Sequence, residues 1–115
     1  MDLQDINEWA HIQWPASMHN LHVSGERGID ALAFIRFDMD RSEVEQFVRD
    51  LGFVDPLSPD FWPFPSQAEA PDWWTPQHAA SYSGGEVLES GLARELLIEN
   101  NVGRLATAFL RTYQV

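Results

Sequence analysis

Apolar and polar residues alternate along this chain with two different periods, and the switches between them mark out the elements. In residues 2–13, Leu3, Ile6, Trp9 and Ala10 recur at helical spacing behind Asp2, which is suited to cap a first turn. Pro15 ends this short helix, because a proline pushes the residue before it, Trp14, out of the α region. Residues 20–24 then alternate polar and apolar, as a half-buried strand does. After a turn at Gly25-Glu26-Arg27-Gly28, a stronger strand is predicted from Asp30 to Met39. Ala31, Ala33, Ile35, Phe37 and Met39 share one wholly apolar face, and Leu32, Phe34, Arg36 and Asp38 lie on the other. The two strands read as a β-hairpin whose apolar face must be covered.

The next pattern is helical. Val44, Phe47, Val48 and Leu51 fall at i, i+3, i+4 and i+7, the stripe of an amphipathic helix over residues 42–51. Ser42-Glu43-Val44-Glu45 fits a capping box at its start. Gly52 supplies the left-handed residue that stops it, with Phe53 free to fold back onto the last turn. This stripe is the natural cover for the apolar sheet face.

Residues 55–80 change character. Six of the seven prolines lie here, among Phe61, Trp62, Phe64, Trp73 and Trp74. Prolines at this density exclude a central strand or a helix interior. So many large aromatics argue for a packed loop rather than disorder. In the last third, Leu92, Leu96 and Leu97 suit a helix, but residues 95–99 followed by Asn100-Asn101 read as strand and turn. Beyond Gly103, Leu105, Thr107, Phe109, Arg111 and Tyr113 alternate onto one side, which favours a closing hairpin. The expected fold is α+β: one domain over residues 1–115, with a four-stranded antiparallel sheet. One main helix packs on one face, and the long Pro/aromatic loop wraps an edge or the other face.

Composition narrows the chemistry. The 115 residues are enough for one core that buries roughly two thirds of the surface of the unfolded chain. No cysteine is present, so disulfides, thiolate zinc sites and cysteine nucleophiles are excluded. Eighteen carboxylates face seven arginines and no lysine, a formal charge of −11. Such a surface repels phosphate backbones and anionic membranes, and it favours a basic protein partner. The plain alternative is that the acid only keeps a small protein soluble. No apolar run approaches the ~20 residues of a membrane span, and the acidic start has no signal-peptide pattern; a cytoplasmic location is the expectation.

No reactive constellation emerges. His19 and His22 stand three apart on a strand and face opposite sides, and with His11 they show no metal-ligand spacing, so no cofactor or metal is expected. Ser83-Gly84-Gly85 lacks the glycine-flanked serine of a nucleophile elbow. Asp38 and Asp40 share one side of a strand end, with Glu43 one turn on. Paired acids can perform acid–base work, but these lie before a helix start, where the dipole stabilises negative charge. Their functional use would be as contacts for a cationic partner. Trp62, Trp73 and Trp74 could anchor a partner or stack on a sugar, or could simply plug one sheet face. As Trp73 and Trp74 are adjacent, an extended backbone points only one of them inward.

Two segments carry a resemblance: Pro15-Ala16-Ser17-Met18-His19-Asn20-Leu21-His22 and Pro71-Asp72-Trp73-Trp74-Thr75-Pro76. With the strand from Asp30 to Phe37 and the helix ending Phe47…Leu51-Gly52, the chain resembles a loose group of small bacterial proteins of uncharacterised function. The resemblance implies an α+β fold with an antiparallel sheet, and it brings no catalytic residue. Members of that kind often carry a lipoprotein signal and an acylated cysteine, and this sequence holds no cysteine. The functional expectation is a non-enzymatic acidic binding protein, of inhibitor or immunity type, masking a basic surface on a toxin or effector. Its contacts would be Asp38, Asp40, Glu43, Trp62, Trp73 and Trp74. The alternative is a small-ligand or saccharide-binding domain using exposed tryptophans.

Overall fold

The computed structural model describes residues 2–26, 31–65, 70–101 and 103–115. Helix α1 spans Leu3–Ala10, strand β1 His19–Glu26 and strand β2 Leu32–Asp40. A 3-10 turn at Arg41–Glu43 leads into helix α2, Val44–Asp50. Strand β3 is Ser58–Pro59, β4 is Tyr82–Glu89, β5 is Leu92–Asn100 and β6 is Leu105–Gln114. All pairings are antiparallel, in the order β1-β2-β6-β5-β4-β3.

The expected four-stranded sheet with one main helix is thereby corrected. Among the described residues the sheet has six strands, and two short helices of eight and seven residues share the cover. The closing hairpin forms as β5–β6, with Leu96 opposite Leu110 and Leu97 opposite Phe109. Arg27 and Gly28 of the expected first turn, and Asp30 at the expected start of the second strand, lie outside the described residues.

Glycines explain why β4 does not look like a strand. A Cβ on Gly84 would stand 2.2 Å from the Phe61 carbonyl oxygen, and one on Gly85 would stand 2.9 Å from the Phe53 ring. Only glycine lets the flanking segments approach so closely, and the Gly-Gly pair then resembles a turn. β3 contains Pro59, which a sheet tolerates at its edge, where the missing N–H is not needed. The β4–β5 connection is two residues, Ser90 and Gly91, both at positive φ, as a type I′ turn requires.

The helix ends are held by different means. Asp2 and Asp5 of α1 exchange side-chain-to-backbone bonds at 3.0 Å, a reciprocal capping box. The box expected at Ser42–Glu45 does not form. Ser42 sits in the 3-10 turn, and neither the Asp40 nor the Glu43 side chain caps. At the other end of α2, Gly52 (φ 99°) donates to the Arg49 carbonyl and Phe53 to the Val48 carbonyl, a Schellman closure. One residue then ties both helices to the sheet. Arg94 of β5 donates from Nη1 to the Leu51 carbonyl at 2.5 Å and from Nη2 to the Ala10 carbonyl at 2.6 Å. This buried cation complements the negative ends of both helix dipoles. Burial lowers its pKa, and the charge of Glu89 opposes that shift.

The sheet is apolar on both faces. On one, Ala33, Ile35, Phe37 and Met39 of β2 join Leu96, Ile98, Ala108 and Leu110, under Ile6 and Trp9 of α1, Phe47 and Val48 of α2, and Leu51 at its C-cap. This is the face and the helical stripe that the sequence pattern predicts. On the other face Phe34, Leu97 and Phe109 are covered by Phe64 and Trp74 from the Pro/aromatic segment. Trp74 sits edge-on to Phe34, Phe64 and Phe109, with ring centroids 5.0–5.5 Å apart. That segment is a structural layer.

If so, Trp74→Ala should cost about 3–5 kcal/mol in urea unfolding, the range for emptying a buried large aromatic site. Trp62→Ala, at a residue 38% exposed, should cost less than half as much. Equal losses would contradict the assignment of Trp74 to a core.

Candidate functional site

The acidic corner expected from the sequence is built, though its members have separate tasks. Asp38 accepts from Asn20 Nδ2 at 2.8 Å and from Thr107 Oγ1 at 2.7 Å, and Asn101 Nδ2 donates to that same hydroxyl at 2.8 Å. It therefore joins the ends of β1, β2 and β6 and caps no helix. Ser17 is a second node: its hydroxyl accepts the Asp40 N–H at 2.8 Å, and its amide donates to Glu43 at 3.3 Å. The Ser17 hydroxyl also holds the Glu43 carboxyl below its usual pKa. Asp38, Asp40 and Glu43 are each part-exposed, so their outward oxygens remain open to water.

The tryptophans divide. Trp74 is 3% exposed and so lies behind the surface a partner would meet, which corrects its place among the expected contacts. Trp73 is half-buried; its ring stacks on His22 at 5.4 Å, and its carbonyl accepts from Arg36 Nη1 at 3.0 Å. Trp62 is exposed, beside the exposed Phe61, and packs edge-on to Phe64 and Tyr82. The backbone here is a turn closed by the Trp74 N–H on the Pro71 carbonyl, not an extended stretch, and Trp73 too packs against the cluster around Trp74.

A cluster that sequence reading missed lies at the far end of the same sheet face. Glu95 of β5, its side chain 5% exposed, accepts from Arg111 Nη1 of β6 at 2.8 Å. The Arg111 guanidinium lies 4.6 Å over the Tyr113 ring and 5.9 Å over that of Phe34. Burial pushes the Glu95 carboxyl above its ordinary pKa. Arg111 and Tyr113 oppose the shift, and the charge of Glu86, its cross-strand neighbour on β4, adds to it. A depression of about 410 Å³ opens beside the cluster, between Glu86, Leu88, Glu95, Tyr113 and Val115.

Two further depressions flank residues 53–56. One, of about 360 Å³, runs between Phe53, Val54 and Asp55 and the Gly85–Val87 stretch of β4. The other, of about 460 Å³, lies between α2 and β5 and holds Arg41 and Arg49 beside Glu45 and Asp55, so its charges offset. Among the described cations only Arg94 is buried, while Arg41, Arg49 and Arg104 are exposed. Arg36, Arg94 and Arg111 serve internal carbonyls or Glu95, and Arg41 donates to the Asn101 carbonyl. Asp50, Asp55, Asp60, Asp72, Glu86 and Glu89 point to water. With Arg111 offset by Glu95, the burial of Arg94 leaves the solvent-facing surface slightly more acidic than the formal charge.

Set against family models, curated proteins and solved structures, the chain matches none. No helix among the described residues is long and apolar enough to cross a membrane.

Glu95 and Arg111 leave a trace in the sequence. Each is a charge on an inward position of a largely apolar strand, and the hairpin register sets them opposite one another. Glu86, Leu88 and Glu89 leave none until β4 is recognised as a strand.

The two glutamates predict pH effects of opposite sign. The folded pKa of Glu95 is raised, so its stabilising contribution is full below the ordinary glutamate range of about 4.3 and falls as pH rises through the folded value. That of Glu43 is lowered, so its contribution is present above that range and fades as pH drops through the folded value. Urea unfolding of wild type against Glu95→Gln and Glu43→Gln between pH 3 and 7 should give stability gaps that slope in opposite directions. Parallel slopes would contradict the two environments.

Proposed function

We propose that this chain is a non-enzymatic acidic binding protein, of inhibitor or immunity type, that masks a basic surface on a toxin or effector protein. The observation that carries the reading is the disposition of charge. Most carboxylates among the described residues face outward, while Arg36, Arg41, Arg94 and Arg111 hydrogen-bond to groups of the chain itself and Arg49 pairs with Glu45. Opposite potentials steer encounter with a cationic partner and suppress wrong ones. The aromatic segment supports the same reading indirectly. Most of its rings are committed to the sheet face, which leaves Trp62 and Phe61 as its outward apolar contacts. The part-exposed Asp38, Asp40 and Glu43 add to the acid surface at one end of the sheet, and the strand β4 acids add to it at the other.

The test is titration of the full chain with a panel of basic globular proteins, cationic nucleases among them, at 20 and 200 mM NaCl. Binding should appear at low salt and weaken at least about tenfold at the higher salt, as screening demands. No binding to any of them at low salt would refute the reading. Salt-indifferent binding of an oligosaccharide that shifts tryptophan fluorescence would transfer the case to a sugar-binding domain built on Trp62.

A further inference from the structure

β4 is eight residues long, but β3 covers only Ser83 and Gly84. The Tyr82 carbonyl accepts the Asp60 N–H at 3.0 Å on the outer side, and the Ser81 carbonyl accepts the Asn100 N–H at 2.9 Å on the β5 side. Alternate residues of an antiparallel strand bond to opposite neighbours. The backbone N–H and C=O of Glu86 and Leu88 therefore point away from β5. Among the described residues no strand pairs with them there.

The opposite edge is protected. β1 loses register between His19 and His22, and Asn20 stands at φ 52°, so its outer row of backbone groups is broken, as guarded edges commonly are. The β4 edge has no such break, and apolar groups stand exposed beside it. Leu88 is 66% exposed and Val54 95%. The 360 Å³ depression prolongs the line of β3 along Gly85–Val87, where the chain from Phe53 to Pro56 diverges from the edge. Acids stand on both sides of the strand. Glu86 shares the face of Glu95, while Glu89 lies on the helix face, close above Gly52. A second copy of the chain would bring these acids against their own kind, on two bodies of charge −11.

We propose that the outer edge of β4 at Glu86–Glu89 takes up an extended segment of the partner protein, with basic and apolar residues alternating, as an additional strand. The inference rests on the acidic-binding reading and names its mode. The backbone of Glu86 and Leu88 supplies the hydrogen bonds of strand addition. Basic side chains on one face of the added strand meet Glu86, and apolar ones on the other meet Val87, Val54 and Phe53.

The experiment titrates the full chain with a twelve-residue peptide of alternating arginine and valine, and with the same peptide N-methylated at every second backbone nitrogen. Methylation leaves the charge unchanged and removes the ladder hydrogen bonds. The parent peptide should bind at low salt and slow amide exchange at Glu86 and Leu88 at least about tenfold. The methylated peptide should bind at least about tenfold more weakly. Leu88→Pro, which removes an outward N–H only, should weaken the parent peptide to the same degree with an unchanged unfolding midpoint. The methylated peptide makes the test independent of that variant's folding. Equal, salt-sensitive binding of both peptides with no protection at Glu86 and Leu88 would overturn strand addition and leave the acidic-binding reading standing. No binding of either at low salt would defeat both. Protection that grows with protein concentration in the absence of peptide would make a second copy the occupant and overturn the proposal.

Discussion

Strands β2, β5 and β6 are apolar on both faces over much of their length, and burying both faces at once is the constraint to which the rest of the structure responds. Two short helices fill one side, held there by their apolar stripes and by the Arg94 guanidinium that takes a carbonyl from the end of each. No third α-helix among the described residues is available for the other side. The Pro/aromatic segment takes that place as an irregular layer, with Phe64 and Trp74 wedged over Phe34, Leu97 and Phe109. Large rings suit this task, because each covers much apolar area without needing a regular backbone. The glycines of β4 are part of the same solution, since they let Phe61 and Phe53 lie directly on the strand.

This internal economy shapes the outer surface. A chain with seven cations and eighteen anions buries Arg94 and half-buries Arg111. Arg111 answers the one carboxylate buried among the described residues, Glu95, and Arg94 answers helix carbonyls. Buried pairs of this kind add little net stability, because desolvation offsets their attraction, but losing one partner strands the other charge. The Arg111–Glu95 pair is neutral as a unit, so it is Arg94, bonded to carbonyls, that withdraws a positive charge from the surface. In the proposed strand addition the acidity stands beside backbone that no described strand pairs, at the open stretch of β4, and binding there would call for a partner whose charge and chain conformation both match.

Much of the fold was legible in the sequence, and the parts that were not share a physical cause. The two-faced pattern of β2, the stripe of α2, its Gly52 stop and the closing hairpin all follow from periodicity, and the structure reproduces them. Tertiary packing overrode local pattern elsewhere. Gly84-Gly85 gives no strand signal until Phe61 and Phe53 are known to lie against it, and Pro59 reads as loop until it is placed on a sheet edge. The same blind spot hid the open edge, because Glu86 and Leu88 acquire meaning only from strand pairing. At the acidic corner the residues were legible and their roles were not. Asp38 precedes a helix in sequence, yet its partners, Asn20 and Thr107, come from other strands.

The central claim is that the Pro/aromatic segment is a layer of the core, leaving the acidic surface as the part that meets other molecules. It is tested most directly by fluorine NMR of the chain carrying 5-fluorotryptophan, each resonance assigned by single Trp→Phe replacement. The account predicts that the Trp74 resonance shows no solvent isotope shift between H₂O and D₂O, as for buried Trp9, while that of Trp62 shows a clear one. A Trp74 shift as large as that of Trp62 would mean that its ring faces water, and the layered arrangement would be wrong.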